Sequence, residues 1–309
     1  MGMTMRKFLA VLAVAVLTAG FAACGGDDDD SASATSGTTA SSSNTDVACS
    51  GPSDAYKTDV GSPDDFTPVT DDTLTVVTSL PGPGFWEGSD TDPTKVNAGF
   101  EYEIAKKMQD AFGLSKLVVR NESFDSIVAG TVTDYDLALS QISITCDRAK
   151  VVDFTMPYFE SNQGVLVKAD GGPEVTTLDQ AKAVQWGVQT GTTAIDLLDT
   201  IKPSKQPRVY QQLPDGYTAL EAGQVDAFLI DTAINLGEAA RSDGKFKVVS
   251  QFDQPGGPDQ YGAILPKGSD DAGAVNAVFK DLKDSGELDR LTKEELTATP
   301  DDLPVIKTQ

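Results

Sequence analysis

Strand-like and helix-like segments take turns along this chain from Leu74 to about Lys293. LTVVTS (Leu74–Ser79) has the β-branched, apolar character of a buried strand. GFEYEIAKKMQDAFG (Gly99–Gly113) follows with helical spacing: Ile104, Met108 and Phe112 share one face, and Gly113 stands where a C-terminal cap belongs. KLVVRN reads as a strand, SFDSIVAGTV as a short helix, and YDLALSQISI (Tyr135–Ile144) as a partly alternating strand. The second half repeats the theme, with strands at VQWGVQ, RVYQQL and DAFLID and helices at TTAIDLLDTI, YTALEAGQV and TAINLGEAARS. This alternation predicts an α/β protein with mainly parallel sheets covered by helices. Ligands of such folds bind outside the carboxyl ends of the strands, so residues just past each strand are the first candidates for a site.

An internal echo divides the chain in two. Phe124, Ile127, Ala129, Gly130 and Val132 recur at the same spacing as Tyr217, Leu220, Ala222, Gly223 and Val225, and an Asp and a strand follow each set. A match this short also arises by chance between helix–Gly–strand units. Taken as real, it gives two lobes of similar construction and puts Asp231, at the end of DAFLID, in the place that the Ser140–Arg148 cluster occupies in the first lobe.

That cluster contains an arginine just past a strand end, with Ser140, Ser143 and Thr145 beside it. A planar guanidinium grips a carboxylate with two parallel hydrogen bonds, and hydroxyls complete the grip. The plain alternative is an arginine in a solvated turn. VQTGTT (Val188–Thr193) places Gly191, Thr192 and Thr193 at a strand-to-helix turn, where free N–H groups and the helix dipole favour an anion. Thr192 there also suits ordinary N-capping. Arg148, Ser143 and Thr193 could thus hold a carboxylate and Asp231 an ammonium across one cleft. Desolvating a zwitterion is costly unless both charges are paired, and an α-amino acid fits such a pair of partners.

The ends of the chain point to export. Arg6 and Lys7 precede an apolar run from Phe8 to Leu17, and small residues lead to FAAC (Phe21–Cys24), the form of a secretory signal over residues 1–23. A cysteine after small residues resembles a bacterial lipobox, with Phe21 where that pattern prefers Leu. It would make Cys24 the lipidated first residue of the mature protein; an ordinary signal with Cys24 incidental is the alternative. From Gly25 to Asp46 the chain is Gly, Ser, Thr and Asp, and it stays poorly patterned to about Asp72, so residues 24–72 are expected to form a disordered tether.

Composition narrows the chemistry. A formal charge of −23 speaks against nucleic acid, whose phosphates need a basic surface. With no histidine anywhere, His-based triads and histidine metal ligands are excluded, and no cofactor motif appears. Of three cysteines, Cys49 and Cys146 remain once Cys24 is set aside; in an exported chain they are candidates for a disulfide.

Several motifs, in order, carry a resemblance over Leu74 to about Leu296. GFEYEIA (Gly99–Ala105), SITCDRAKVVDFTMPYF (Ser143–Phe159), GVQTGTTA (Gly187–Ala194) and VDAFLID (Val225–Asp231) are similar to those of family 3 bacterial solute-binding proteins, the polar amino-acid receptors of ABC importers. The resemblance implies a two-lobed periplasmic-binding-protein-like (type II) fold, each lobe a mainly parallel sheet flanked by helices. Lobe 1 would comprise residues 73–160 and 260–300 and lobe 2 residues 161–259, with crossings near Glu160–Gln163 and Pro258–Tyr261 and a C-terminal tail over 301–309. It places the carboxylate grip on Arg148 and Ser143, strand-end contacts on Ser140 and Gln141, second-lobe contacts on Gln189, Thr192 and Thr193, the ammonium partner on Asp231 and an aromatic wall on Phe124. The family's Asp and stacking Tyr after the first strand are replaced by Ser79 and Gly82, leaving Phe85 or Trp86 to supply a wall or to be core.

Function follows as expectation. A lipid-anchored, non-enzymatic receptor would close about a hinge on an amino acid, polar uncharged or acidic rather than basic because Ser79 replaces a carboxylate. It would then deliver the amino acid to a permease and its ATPase. Two alternatives use the same fold: a cyclohexadienyl dehydratase-like enzyme with Glu101, Glu103 or Glu160 as acid, and a sensory or structural lipoprotein without ligand.

Overall fold

The computed structural model describes residues 49–308. The predicted signal, Cys24 and most of the predicted tether lie outside the described residues.

The first strand of the first lobe is β1 (Thr73–Thr78), every residue of which is buried, as a strand covered on both faces must be. Then come α1 (Phe100–Ala111), β2 (Lys116–Asn121), α2 (Phe124–Val128), β3 (Leu137–Ala138), β4 (Val152–Phe154) and β5 (Phe159–Ser161). The second lobe comprises β6 (Gln163–Lys168), α3 (Leu178–Ala183), β7 (Trp186–Gln189), α4 (Thr193–Ile201), β8 (Arg208–Tyr210), α5 (Leu213–Glu221), β9 (Ala227–Asp231), α6 (Thr232–Arg241) and β10 (Phe246–Asp253). The chain returns through β11 (Asp259–Tyr261) to β12 (Ile264–Pro266), α7 (Ala272–Asp284) and α8 (Glu287–Glu295), and ends on β13 (Val305–Lys307).

One sheet runs β2-β1-β3-β12-β4 and the other β13-β10-β6-β9-β7-β8. The two crossings, β5 and β11, pair antiparallel with Glu160 opposite Gln260, a two-stranded ribbon between the lobes. The echo is topological as well as sequential. In the first lobe β1 pairs parallel with both β2 and β3; in the second β7 pairs parallel with both β8 and β9. Both helices of the echo end on a left-handed glycine, Gly130 at φ +65° and Gly223 at φ +68°.

Five expectations need correction. The sheets are mixed: β12 runs antiparallel to β3 and β4, and β6 antiparallel to β9 and β10, because the chain enters and leaves each lobe through the ribbon. The predicted strand over Tyr135–Ile144 shortens to β3. Gln141 takes φ +51°, breaking the strand, and the chain then bridges to the returning strand instead, Ile144 N–H donating to the Gln260 carbonyl at 2.8 Å, while Tyr135–Ile144 stays buried throughout. The tether ends earlier than Asp72. Cys49 and Cys146 are bonded with Cα atoms 5.7 Å apart, the Asn276 amide donates to the carbonyls of Lys57 and Asp59, and Phe66 stacks on Phe112 at 3.9 Å. This Pro-, Gly- and Asp-rich segment is held with only two short 3₁₀ turns, Pro52–Asp54 and Pro63–Asp65. Lobe 1 therefore begins well before residue 73. Nor are residues 301–309 merely a tail: β13 adds an edge strand to the second sheet, parallel to β10, with Ile306 buried.

Apolar residues on both faces of each sheet form the cores. Ile104, Met108, Val275, Phe279 and Leu291 fill the space under α1, α7 and α8, and Ile127, Ile142, Phe154 and Ile264 the opposite face. Val165, Trp186, Leu197, Leu198 and Phe252 do the same beneath α3 and α4.

Candidate functional site

A narrow cavity lies where the two lobes face each other. Its lining follows from topology. Ser79, Leu80 and Pro81 follow β1; Phe124 begins α2 after β2; Ser140, Gln141 and Ser143 follow β3. From the other lobe, Gln189, Thr192 and Thr193 stand at the end of β7, Gln212 and Leu213 after β8, and Ile230, Asp231 and Ile234 at the end of β9. Six strand ends thus converge, three from each lobe. Arg148 completes the wall from a 3₁₀ turn just beyond.

Ten of the eleven predicted contacts line this cavity, and Phe85 does not. Its ring is fully buried in the lobe 1 core, edge-on to Phe100 at 5.9 Å and to Phe159 at 5.8 Å. Trp86 is core too, and Leu80 and Pro81 supply wall at the start of that loop. Sequence reading missed Leu80, Pro81, Gln212, Leu213, Ile230 and Ile234. The strand-end rule itself points to them, but apolar residues next to a strand are equally well read as core.

Arg148 is buried and aimed. Nη1 donates to the Ser143 carbonyl at 2.6 Å, Nη2 to the Gly191 carbonyl across the cleft at 2.8 Å, and the guanidinium lies 5.5 Å from the centre of the Phe124 ring. Burial draws its pKa down to about 10, against the opposing pull of Asp259, Asp231 and Asp196. It stays a cation at neutral pH, with N–H donors beyond those two bonds.

Asp231 caps the opposite wall. It is buried, its Oδ1 has no hydrogen-bond partner among the described residues, and Gln163 stands directly across the ladder from it. Burial first, then the like charge of Asp259, pushes its carboxyl up to about 8. The Tyr261 hydroxyl and the Gln163 amide oppose that rise without cancelling it, so the carboxyl is left short of partners, and a cationic N–H group in the cavity would complement it.

The two threonines divide their work differently from expectation. Thr192 does not cap α4 with its side chain; its hydroxyl donates back to the Gln189 carbonyl at 2.7 Å. The Thr193 hydroxyl donates to Asp259 Oδ2 at 3.0 Å, and Gln163 Nε2 reaches the same oxygen at 2.7 Å. Thr193 therefore faces the cavity with its hydroxyl already engaged, leaving the first N–H groups of α4 as its donors to an anion. Asp259, on the returning ribbon strand, was not anticipated; nothing in its local sequence marks it.

Behind the first-lobe wall lies a second buried carboxylate. Glu101 accepts from Trp86 Nε1 at 2.6 Å, from the Gln141 backbone N–H at 2.8 Å, from Gln141 Nε2 at 2.5 Å and from the Tyr158 hydroxyl. Burial raises its pKa while these donors pull it back. It holds the left-handed turn at Gln141 and is not among the lining residues. Neither are Glu103 and Glu160, so none of the three glutamates imagined as a catalytic acid faces the cavity. Among the described residues, no group of three or more metal-binding side chains occurs.

The chain resembles known receptors along much of its length. It is 27% identical over 198 residues to the L-cystine-binding protein TcyJ of Escherichia coli (strain K12), covering 63% of this chain and 73% of that one. It is 28% identical over 211 residues to the ABC transporter glutamine-binding protein GlnH of Bacillus subtilis (strain 168), covering 65% and 74%. A crystal structure of an amino acid ABC transporter substrate-binding protein from Streptococcus pneumoniae, bound to L-arginine, superposes with a TM-score of 0.63 at 26% identity, over 74% of this chain and 95% of that one. Residues 78–297 match the family profile itself, and with the two-lobed fold and the cleft between strand ends they place this chain among the bacterial extracellular solute-binding proteins, family 3.

Proposed function

We propose that the protein captures a free α-amino acid between its lobes and hands it to the permease of an ABC importer, powered by that importer's ATPase. The reading rests above all on one observation: a buried cation from lobe 1, Arg148, and a buried carboxylate from lobe 2, Asp231, line the same cavity. The α-carboxylate would meet Arg148, Ser143 and the head of α4, and the α-ammonium would meet Asp231. Each lobe holds one end, so ligand binds fully only when the lobes close and it shifts the open–closed balance by that difference in affinity.

The cavity favours a neutral side chain. Among the described residues Arg148 is the only basic side chain lining it and Asp231 the only acidic one, and both would serve the α-groups. A basic side chain would find no second carboxylate on the wall, consistent with Ser79 standing in for the family's aspartate. An acidic one would lack a second cation, so polar uncharged ligands fit better than acidic ones.

Export and anchoring complete the proposal: a lipid on Cys24 would hold the receptor to the outer face of the cell membrane. Intact-mass spectrometry of the mature protein should show Cys24 N-terminal and lipidated, and an unmodified cysteine removes this part. For the receptor itself, thermal shift across a panel of amino acids should raise the melting temperature for at least one neutral member. A folded protein that responds to none would sink the transport reading.

A further inference from the structure

Three carboxamides line the cavity, and two of them are committed to the protein. Gln141 donates Nε2 to Glu101, and Gln189 donates Nε2 to the Gln211 carbonyl at 3.3 Å. The third, Gln212, makes no side-chain hydrogen bond to any described residue. It occupies the N-cap position of α5 in extended backbone at φ −125° without capping the helix. Leu80 of the first lobe and Leu213, Ile230 and Ile234 of the second line the same cavity and are apolar and buried. Gln212 itself is half-buried, so a polar group with spare donors and a spare acceptor lines the cavity together with these apolar residues.

We infer that Gln212 is the specificity-determining residue of the cleft and selects a neutral side chain that hydrogen-bonds, a carboxamide best of all. The inference rests on the amino-acid reading above. A carboxamide offers one acceptor and two donors, so a second carboxamide can answer it with a reciprocal pair. An aliphatic side chain of equal length would fill the same space and leave Gln212 unpaired as the cleft closes, the circumstance in which a polar site discriminates strongly. A charged side chain would be buried against Leu213 and Ile234 with no counter-ion.

Calorimetry with glutamine, methionine, glutamate, lysine and alanine, on the wild type and on Gln212→Leu and Gln212→Ala, tests this. The wild type should bind glutamine more tightly than methionine by about tenfold or more, and either substitution should shrink that ratio by about tenfold. The loss should fall on glutamine more than on alanine, which carries the α-groups and no polar side chain. A ratio unchanged by both substitutions, or a wild type that prefers lysine or glutamate, overturns the assignment of Gln212 while leaving amino-acid binding in place. A wild type that binds none of the five, alanine included, overturns the amino-acid reading and this inference with it.

Discussion

Two buried carboxylates stand within a few residues of the cleft, and the protein treats them in opposite ways. Glu101, under the lobe 1 wall, receives four hydrogen bonds from Trp86, Gln141 and Tyr158. Asp231, in the lobe 2 wall, keeps an oxygen without a partner and is pushed up to about 8 by burial and by Asp259. Burial alone does not separate them, since both are almost completely withdrawn from solvent. Satisfaction does. A buried acid whose lone pairs are filled by its own protein fixes local structure; one left unfilled at a cavity is a site waiting for a donor.

The sharpest way to break this contrast is to remove the strut. Glu101→Leu leaves buried donors on Trp86, Gln141 and Tyr158 unpaired and should cost on the order of 3–5 kcal/mol of folding stability, read from urea denaturation. A variant as stable as the wild type would show that Glu101 is no strut. Removing a group that grips ligand should act mainly on binding. Arg148→Ala gives up the bonds to the Ser143 and Gly191 carbonyls and should cost the ligand-free protein about 1–2 kcal/mol, less than Glu101→Leu, while weakening amino-acid binding by roughly 2–5 kcal/mol, because the ligand carboxylate would lose its cation. Arg148→Lys should recover only part, since an ammonium cannot reproduce the planar fork. Unchanged affinity in Arg148→Ala would make Arg148 a mere turn residue.

Asp231→Asn sharpens the comparison from the other side. Replacing a buried acid that keeps its proton up to about 8 by a neutral amide should leave the ligand-free protein nearly as stable as before, while affinity falls by about ten- to a hundred-fold. If this variant loses stability as Glu101→Leu does, the distinction between strut and site fails.

The smallest effect is in the pH dependence. The Asp231 carboxyl is pushed up to about 8, well above the ordinary aspartate value of 3.8, so between these the folded protein binds a proton that the unfolded chain does not. Its contribution to stability is therefore fully present below about 4 and is lost as pH rises through about 8. A ligand ammonium needs the carboxylate form, so binding should expel that proton and affinity should fall as pH drops below 8, by at most about tenfold per unit. Calorimetry in buffers of different ionisation enthalpy reads the proton release directly, and Asp231→Asn should abolish it. A flat profile in the wild type would mean that the open protein already holds Asp231 ionised.

Much of the fold was legible because α/β chains write their order locally. Strand and helix periods differ, and the glycines at 130 and 223 punctuate two copies of one arrangement. The candidate site was legible for a related reason. Once strand ends are located, topology brings them together, so Ser140, Arg148, Thr193 and Asp231 could be named from the sequence, while Ser79 and Gln189 came only from the resemblance to the family's motifs. What stayed hidden depended on which side chains meet. Phe85 and Leu80 are both apolar residues in one loop after β1, yet the first is buried in the aromatic core and the second faces ligand space. Residues 49–72 read as tether because their composition forms no periodic element, although Asn276 and Cys146, each far away in sequence, hold them down.

By itself, then, the sequence determined the order of elements, the two similar halves and the residue types offered at each strand end, all of which are set by interactions within a few residues. Only the tertiary structure decided that Glu101 would be satisfied and Asp231 would not, that the Thr193 hydroxyl would go to Asp259, and that Gln212 would be left uncommitted. The physical reason is that a polar group's role depends on its hydrogen-bond partners. For these groups nearly all the partners come from segments distant in the chain, and local pattern reports burial without saying what is met there.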